Sequence, residues 1–550
     1  MASPRSEHWL IPARPYASWA EYLSAVGSSA AERARAQRPE AVLDEIRRSG
    51  LRGRGGAGFP TGTKWRTLAT HPCETRFVVC NAAEGEPGTF KDRWLLRHNP
   101  YAVLEGMLAA AHVIGARECF VAAKASFGRE LDVLSRALDE MDAAGVLAGV
   151  DVRLVEGPEE YLFGEEKALL NVIDGEGPLP REPDRPPYEL GLRASPGSPN
   201  PALVNNAQTF AHASTIVRHG AASFRALGTE DTPGTLIFTV SGDVQRPGVY
   251  ELPAGVTLRQ VFQEAAGGPR PGRRLKAALC GVSHAVLLAD RFDVPADFGH
   301  LHLVGAGLGA AGFVVFDDQA WMPRVAQAVA RFLYVESCNQ CSACKAGLRT
   351  ASGAIDELFD PALATNDDPE RALYAARSAP QGNRCYLPVQ GSIVVPSLLR
   401  AFQDEFDAQL RAPAGGPPAW PIPKIVDFDA AAGRFVYDEH QAYKQPDWTY
   451  REAPPAPAPV PEAAPPEAEA APAAPAAAAP PPPSVRPAPA PPTPRQPTAV
   501  PAAEAAGAAA VWLRPDLAAT LVRRAHQQNV DLDRLLDAAL REWLKEHPAP

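Results

Sequence analysis

Phe77-Val-Val-Cys80, Glu118-Cys-Phe-Val-Ala-Ala123 and Asp151-Val-Arg-Leu-Val155 are three short apolar runs. Between them, residues 101–114 and 129–144 carry the apolar spacing of helices. Strands alternating with helices predict an α/β domain built on a largely parallel sheet. In such a sheet ligands gather where strands end at their carboxyl side. The turn after the first run, Asn81-Ala-Ala-Glu84-Gly-Glu86-Pro-Gly-Thr-Phe-Lys-Asp-Arg93, is therefore the first place to look for a site. Upstream, residues 30–48 read as one helix ending at Gly50, the residue type that closes helices.

Downstream the texture changes twice. Residues 234–295 contain strand-like runs, Thr235-Leu-Ile-Phe-Thr-Val and Pro247-Gly-Val-Tyr-Glu-Leu, then a short helix over 258–265, which predicts a small α+β module. Residues 319–410 read as helical. Residues 451–508 are almost all alanine and proline, a composition that cannot bury enough apolar surface to order itself and predicts an extended, disordered tether. Beyond it, 509–514 reads as a strand and 515–528 and 531–547 as amphipathic helices, a unit too small to stand alone.

The 550 residues exceed what one core organises, so several domains are expected. A net charge of -10 without a basic run argues against nucleic acid as the main partner. Eight cysteines in a chain this long do not form a disulfide framework. The opening residues lack the features of a signal peptide, and the weakly polar stretch at 301–316 is interrupted by glycines and too short to span a bilayer. The expectation is a soluble, cytoplasmic chain, with membrane contact only through partners.

Cys338-Asn-Gln-Cys341-Ser-Ala-Cys344 puts three thiols at a repeat of three, and Cys385 follows 41 residues later. Four thiolates hold either zinc or an iron–sulfur cube. Structural zinc sites use two separated knuckles, so this spacing suits the cube better. Cys73, Cys80, Cys119 and Cys280 are scattered in apolar contexts and read as core residues.

The loop Gly53-Arg-Gly-Gly-Ala-Gly-Phe-Pro-Thr-Gly62 satisfies G-x-G-x-x-G, but a helix precedes it, so it is not a dinucleotide fingerprint by context. Its bare backbone still admits a flat ring or a pyrophosphate, with Lys64 able to pair with phosphate and Phe59 to stack; a flexible surface loop is the competing reading. Glu84, Glu86 and Asn81 offer partners for ribose or ribityl hydroxyls, against a plain solvated loop. Glu165 and Glu166 open a helix, where acidic residues commonly serve as caps.

Together, these segments, with Tyr161-Leu-Phe-Gly-Glu-Glu-Lys and Leu203-Val-Asn205-Asn206-Ala-Gln-Thr209, resemble the NADH-binding flavoprotein subunit of respiratory complex I and the related diaphorase subunits of formate dehydrogenases and hydrogenases. The resemblance, which covers roughly residues 39–406, implies an α/β FMN- and NADH-binding domain at 39–233, a β-grasp (SLBB-like) domain and connection at 234–318 and a helical 4Fe-4S domain at 319–415; around these stand an extension at 1–38, another at 416–450 and, foreign to the family, the tether at 451–508 and a tail at 509–550 that weakly resembles a ribbon-helix-helix unit. It implies that Gly53, Arg54, Gly55, Gly56, Ala57, Gly58, Phe59, Pro60, Thr61, Gly62 and Lys64 line the nucleotide side. Asn81, Glu84, Tyr161, Asn205, Asn206 and Thr209 would hold FMN, and Glu86, Glu165 and Glu166 would face NADH. Cys338, Cys341, Cys344 and Cys385 would hold the 4Fe-4S cluster. Ala83 stands where respiratory members commonly carry aspartate, and Asn339 and Ser342 also depart from the usual cluster loop. The implied partner is a separate thioredoxin-like 2Fe-2S protein within a larger redox assembly, and the tail is expected to dimerise or dock. A redox sensor with a binding tail, or a paralogue lacking flavin, are the alternatives.

Overall fold

The computed structural model describes residues 9–182, 191–194 and 199–451. The tether and tail from residue 452 onward, and the opening eight residues, lie outside the described residues.

Strands β1 (Phe77–Asn81), β2 (Glu118–Lys124), β3 (Asp151–Gly157) and β4 (Ala202–Asn206) form one parallel sheet in the order β3-β2-β1-β4. β1 and β2 are buried along nearly their whole length, which is why their sequences are continuous apolar runs rather than alternating ones. The chain leaves β1 towards β2 on one side and returns at β4 on the other. Strand order therefore reverses between β1 and β4, where Asn81 and Asn206 are register partners at the carboxyl ends. That crevice is where an open α/β sheet binds ligands.

The helix expected over 30–48 is two helices, Ala30–Arg35 and Pro39–Ser49. Pro39 disfavours the helical conformation at Arg38, which is extended (φ -66°, ψ 142°), and then itself starts the second helix. Gly50 closes that helix with φ 68°, as its residue type predicts. Within the segment read as an N-terminal extension, Trp19, Tyr22, Ala30, Ala31 and Ala34 belong to the α/β core. The helix Pro100–Ile114 runs through this core with every residue but His112 buried. Its Glu105 is a fully buried carboxylate, tolerated because Tyr22 Oη, Ser29 Oγ and Arg218 donate to it at 2.6 Å each. At Gly106 a Cβ would lie 1.9 Å from the Phe210 carbonyl oxygen, so the neighbouring helix Ala207–His219 approaches backbone to backbone.

The second sheet comprises β5 (Thr235–Gly242), β6 (Gly248–Pro253), β7 (Leu275–Cys280), β8 (Leu287–Leu288) and β9 (Gly312–Asp317), ordered β6-β5-β9-β7-β8. β9 pairs parallel with β5 and antiparallel with β7. The α+β texture read at 234–295 stops short of β9, which is the fully buried middle strand. The helix expected at 258–265 is a single π turn, Gln260–Ala265.

Five helices follow: Met322–Glu336, Ser342–Glu357, Asp368–Ser378, Leu387–Ala401 and Gln403–Arg411. The remaining residues, 416–451, form a strap. It carries a hairpin of β10 (Ile425–Asp429) and β11 (Arg434–Tyr437) and crosses back to the α/β domain. There Gly88 N donates to Pro423 O at 2.7 Å, Phe435 and Phe428 meet Phe90 and Trp94, and Asp427 pairs with Arg97. The strap then reaches the first of the five helices, where Trp448 Nε1 donates to Val335 O at 3.0 Å.

Candidate active site

The crevice between β1 and β4 is furnished by asparagines. Asn81 Nδ2 donates to Gly164 O at 2.8 Å, and Asn206 caps the Ala207–His219 helix by accepting from Gln208 N at 3.0 Å. Asn205 is buried, yet its Oδ1 has no hydrogen-bond partner among the described residues. The glycine-rich loop lies against this edge. Arg54 N donates to Thr209 Oγ1 at 2.8 Å, and a Cβ on Gly55 would come within 3.2 Å of Asn206 Cβ. Gly56 and Gly58 have positive φ (128° and 62°), so Ala57 is carried by a turn that side chains resist. A bare-backbone seat beside an unpaired buried carbonyl fits a flat, polar ring system.

The loop does not act as one surface. Pro60 and Thr61 lead into the helix Thr61–Ala69, and Gly62 packs on Arg47, where a Cβ would lie 2.7 Å from the Arg47 Cα. Thr61 and Gly62 are buried in packing, Gly55 meets the end of β4, and Gly56 and Gly58 approach Gly309 and Phe298 beyond the first domain. Phe59 is 54% exposed, leaving its ring free to stack. Arg54 is buried and donates to Pro233 O at 2.6 Å; burial, and then Arg52, lower its pKa to about 9. Lys64, expected to meet phosphate, donates to Glu166 at 2.8 Å and to Val204 O at 2.7 Å.

The acidic residues hold the walls together. Glu84 accepts from Asp92 N and Arg93 N at 3.0 and 3.2 Å, capping the helix Lys91–His98; burial, reinforced by Asp92, raises its carboxyl to about 7. Glu165 caps the helix Glu166–Ile173 through Lys167 N and Ala168 N, both at 2.9 Å, and burial raises it to about 7. Glu86 accepts from Tyr161 Oη and from Val282 N (2.8 Å), so it joins the α/β domain to the β-grasp sheet; burial raises its pKa. Tyr161 Oη accepts in turn from Gln390 Nε2 at 2.8 Å. Ala83 sits in an apolar cluster with Phe77 and Phe163 and offers no polar group.

Sequence reasoning passed over Lys91 and Asp92. Both are buried, Lys91 Nζ lies 2.6 Å from Asp92 Oδ1, and Asp92 Oδ2 accepts from Asn206 Nδ2 at 2.7 Å. Two opposite charges directly after the acidic turn were the available signal. Lys124, at the end of β2, is also fully buried and donates to Glu159 O at 3.0 Å; burial, and then Lys424, lower its pKa to about 8.

Cys338, Cys341, Cys344 and Cys385 line one pocket together with Leu162, Arg384 and Pro388. The first two lie in the connection between Met322–Glu336 and Ser342–Glu357, the third in the first turn of the latter, and the fourth just ahead of Leu387–Ala401. Asn339 takes φ 66°, a left-handed conformation that asparagine tolerates, and so folds the first cysteine back towards the second. Burial raises the Cys344 thiol to about 12, so a thiolate there needs a bound cation. Four thiols facing one pocket match the four corners of a multi-iron cube, each of which takes one thiolate. Cys80, Cys119 and Cys280 are buried as expected of core residues, whereas Cys73 is only half-buried.

Three family regions match the chain in this order: the Nuo51 FMN-binding domain over residues 46–215, the SLBB domain over 237–283, and the NADH-ubiquinone oxidoreductase-F iron-sulfur binding region over 324–409. The NADH-quinone oxidoreductase F subunit of Aquifex aeolicus is 32% identical over 405 residues, covering 72% of this chain and 92% of that protein. The chain belongs to the family of NADH-quinone oxidoreductase F subunits. The second F subunit of Rhizobium meliloti is 38% identical over 319 residues, 56% of this chain and 75% of that one. A chain of an NAD+-reducing [NiFe]-hydrogenase in the H2-reduced state superposes with a TM-score of 0.62 at 35% identity, over 68% of this chain and 63% of that chain. The present chain thus spans less than two thirds of that hydrogenase chain. As an F subunit it is an NADH-oxidising flavoprotein with FMN and a 4Fe-4S cluster as cofactors, one component of a larger redox assembly. The seat beside Asn205 and the four-thiol cage fit these two groups.

Proposed function

We propose that the crevice between β1 and β4 holds FMN and receives NADH, and that electrons leave through a cluster on Cys338, Cys341, Cys344 and Cys385. One observation carries the assignment. The single turn Tyr161–Gly164 touches both halves: Tyr161 Oη donates to Glu86 of the acidic turn, while Leu162, the next residue, lines the cysteine cage. This turn therefore links the acidic turn after β1 directly to the cysteine cage.

When bound, FMN takes hydride from NADH and releases electrons singly, the conversion that a one-electron cluster requires. The chain's own residues bind and orient. Gly55 to Gly58 give a bare-backbone floor, Asn205 offers its unpaired carbonyl to a donor on the ligand, and Thr209 and Asn206 fix that floor to β4. Phe59 offers an exposed ring for stacking on a base. Lys64 is already neutralised by Glu166 and so is not available to a 2′-phosphate, which favours NADH over NADPH. Glu84, Glu86 and Glu165 keep the walls in register, Glu86 through Tyr161 and Val282. No side chain is needed to move a proton during hydride transfer.

The onward partner is a thioredoxin-like 2Fe-2S protein, and the acceptor end is the quinone-reducing assembly for which the relatives are named. The chain meets the cytoplasmic face of a membrane only through such partners; among the described residues no helix is long and apolar enough to cross one. Anaerobic protein, parent and Cys385→Ser, tests the reading. Flavin absorbance is expected to bleach with NADH in both, and a reduced-cluster signal to appear only in the parent. Parent protein whose flavin ignores NADH would overturn it.

A further inference from the structure

The family-matched iron–sulfur region stops at residue 409, and the strap lies beyond it. Its last residues are built into the cluster loop rather than laid over it. Lys444 is 1% exposed, and its Nζ lies 3.1 and 3.0 Å from the two carboxylate oxygens of Glu336, which is itself fully buried. Gln441 Nε2 donates to the same carboxylate at 2.9 Å. Arg331, one turn earlier, donates to the carbonyls of Ala442 and Lys444. Trp448 Nε1 satisfies Val335 O, one of the carbonyls that a helix end leaves without an internal partner. From the other side of the cage, Lys345 Nζ donates to Pro446 O at 2.7 Å and to Ser337 O at 2.9 Å, tying strap and cluster loop together.

Glu336 is where these restraints meet the site. It lies two residues before Cys338, and besides the strap it accepts from Tyr161 N at 3.1 Å. Its carboxylate is thus shared by the loop that carries three of the cluster cysteines and the turn that leads to Glu86. Lys444 is the cation bonded directly to that buried acid, with Lys424 acting on it from further off; without Lys444 the carboxylate keeps Gln441 and Tyr161 N as donors but loses both of its charge-assisted bonds, which loosens its hold on the loop.

We propose that the strap supplies the outer shell of the cluster, with Lys444 and Trp448 as positioning residues that fix the loop 336–344 against the Tyr161 turn. The inference rests on the placement of the cluster on the four cysteines, and extends it to residues that neither touch iron nor lie in the matched region. Its content is that these side chains govern how firmly the cluster is held and how its environment is shaped.

The test uses full-length protein purified without oxygen. Outer-shell changes at metal sites typically cost roughly 10–100-fold in metal affinity, so Lys444→Met should lose iron to a ferrous chelator about tenfold faster than the parent. It should also give an altered electron paramagnetic resonance line shape after reduction. Trp448→Phe, which removes one hydrogen bond, should shift both readouts in the same direction by less. Glu336→Gln combined with Lys444→Met removes both charges and should restore slow release, since the effect runs through the Glu336 carboxylate. Parent-like iron release and line shape in Lys444→Met would overturn the proposal, as would a double variant that leaks as fast as the single one. Should Lys444→Met fail to fold, the same comparison on Trp448→Phe decides. Parent protein free of iron would instead remove the cluster assignment itself, a different result from normal iron with an indifferent Lys444.

Discussion

Gly58→Ala probes the seat of the flavin and the joint between two domains at once. Gly58 has φ 62°, and a Cβ built there would meet the Phe298 ring at 2.7 to 2.9 Å. Two penalties are separable. Forcing an alanine into the left-handed region costs about 1–2 kcal/mol whatever surrounds it. Driving a methyl into a ring that cannot retreat costs roughly another 1–3 kcal/mol. Phe298 is half-buried against the core of the second sheet, with the Arg52 guanidinium 5.4 Å from its ring centroid. The total of about 2–5 kcal/mol should appear as a lower urea midpoint and as FMN lost during gel filtration. A double-mutant cycle with Phe298→Ala then divides it. With the ring gone, Gly58→Ala should cost only the backbone share of about 1–2 kcal/mol. The same loss in both backgrounds would show that the ring is not in the way, and the argument from close approach would fail.

Two further expectations concern buried acids. Glu165 is held at about 7 against an unfolded value of 4.5, so its stabilising contribution is complete below pH 4.5 and is lost as pH rises through 7. That amounts to no more than about 3 kcal/mol, and Glu165→Gln should flatten this part of the pH profile in urea titrations at pH 5 and 7.5; an unchanged slope would refute it. Glu105→Gln leaves Arg218 without its buried counter-ion and should cost about 3–5 kcal/mol, read from the urea midpoint.

The parallel sheet was legible because its strands are buried on both faces, and burial on both faces writes an uninterrupted apolar run into Phe77 to Cys80 and Glu118 to Ala123. The cage was legible because three of its four cysteines are local. What escaped was decided by long-range contact or by a single residue. Pro39 cut one expected helix into two, although the rule that predicts it was available from the sequence. Residues 19–35 read as an appendage because nothing in their pattern announces that Tyr22 and Ser29 will meet Glu105, 83 and 76 residues away. The roles of the acidic residues were ambiguous for the same reason: a glutamate that caps a helix and one that meets a ligand look alike until their partners are seen. The strap was the least legible part. Its sequence has prolines at 417, 418, 421 and 423 and no periodicity, and Lys444 finds Glu336 across 108 residues.

That strap also joins parts of the chain that sequence keeps far apart. By bonding to Gly88 beside the acidic turn at one place and to Val335 beside the cysteine loop at another, it closes the polypeptide into a loop that takes in the α/β domain and the five-helix segment, so that a residue lost from the strap is felt at both.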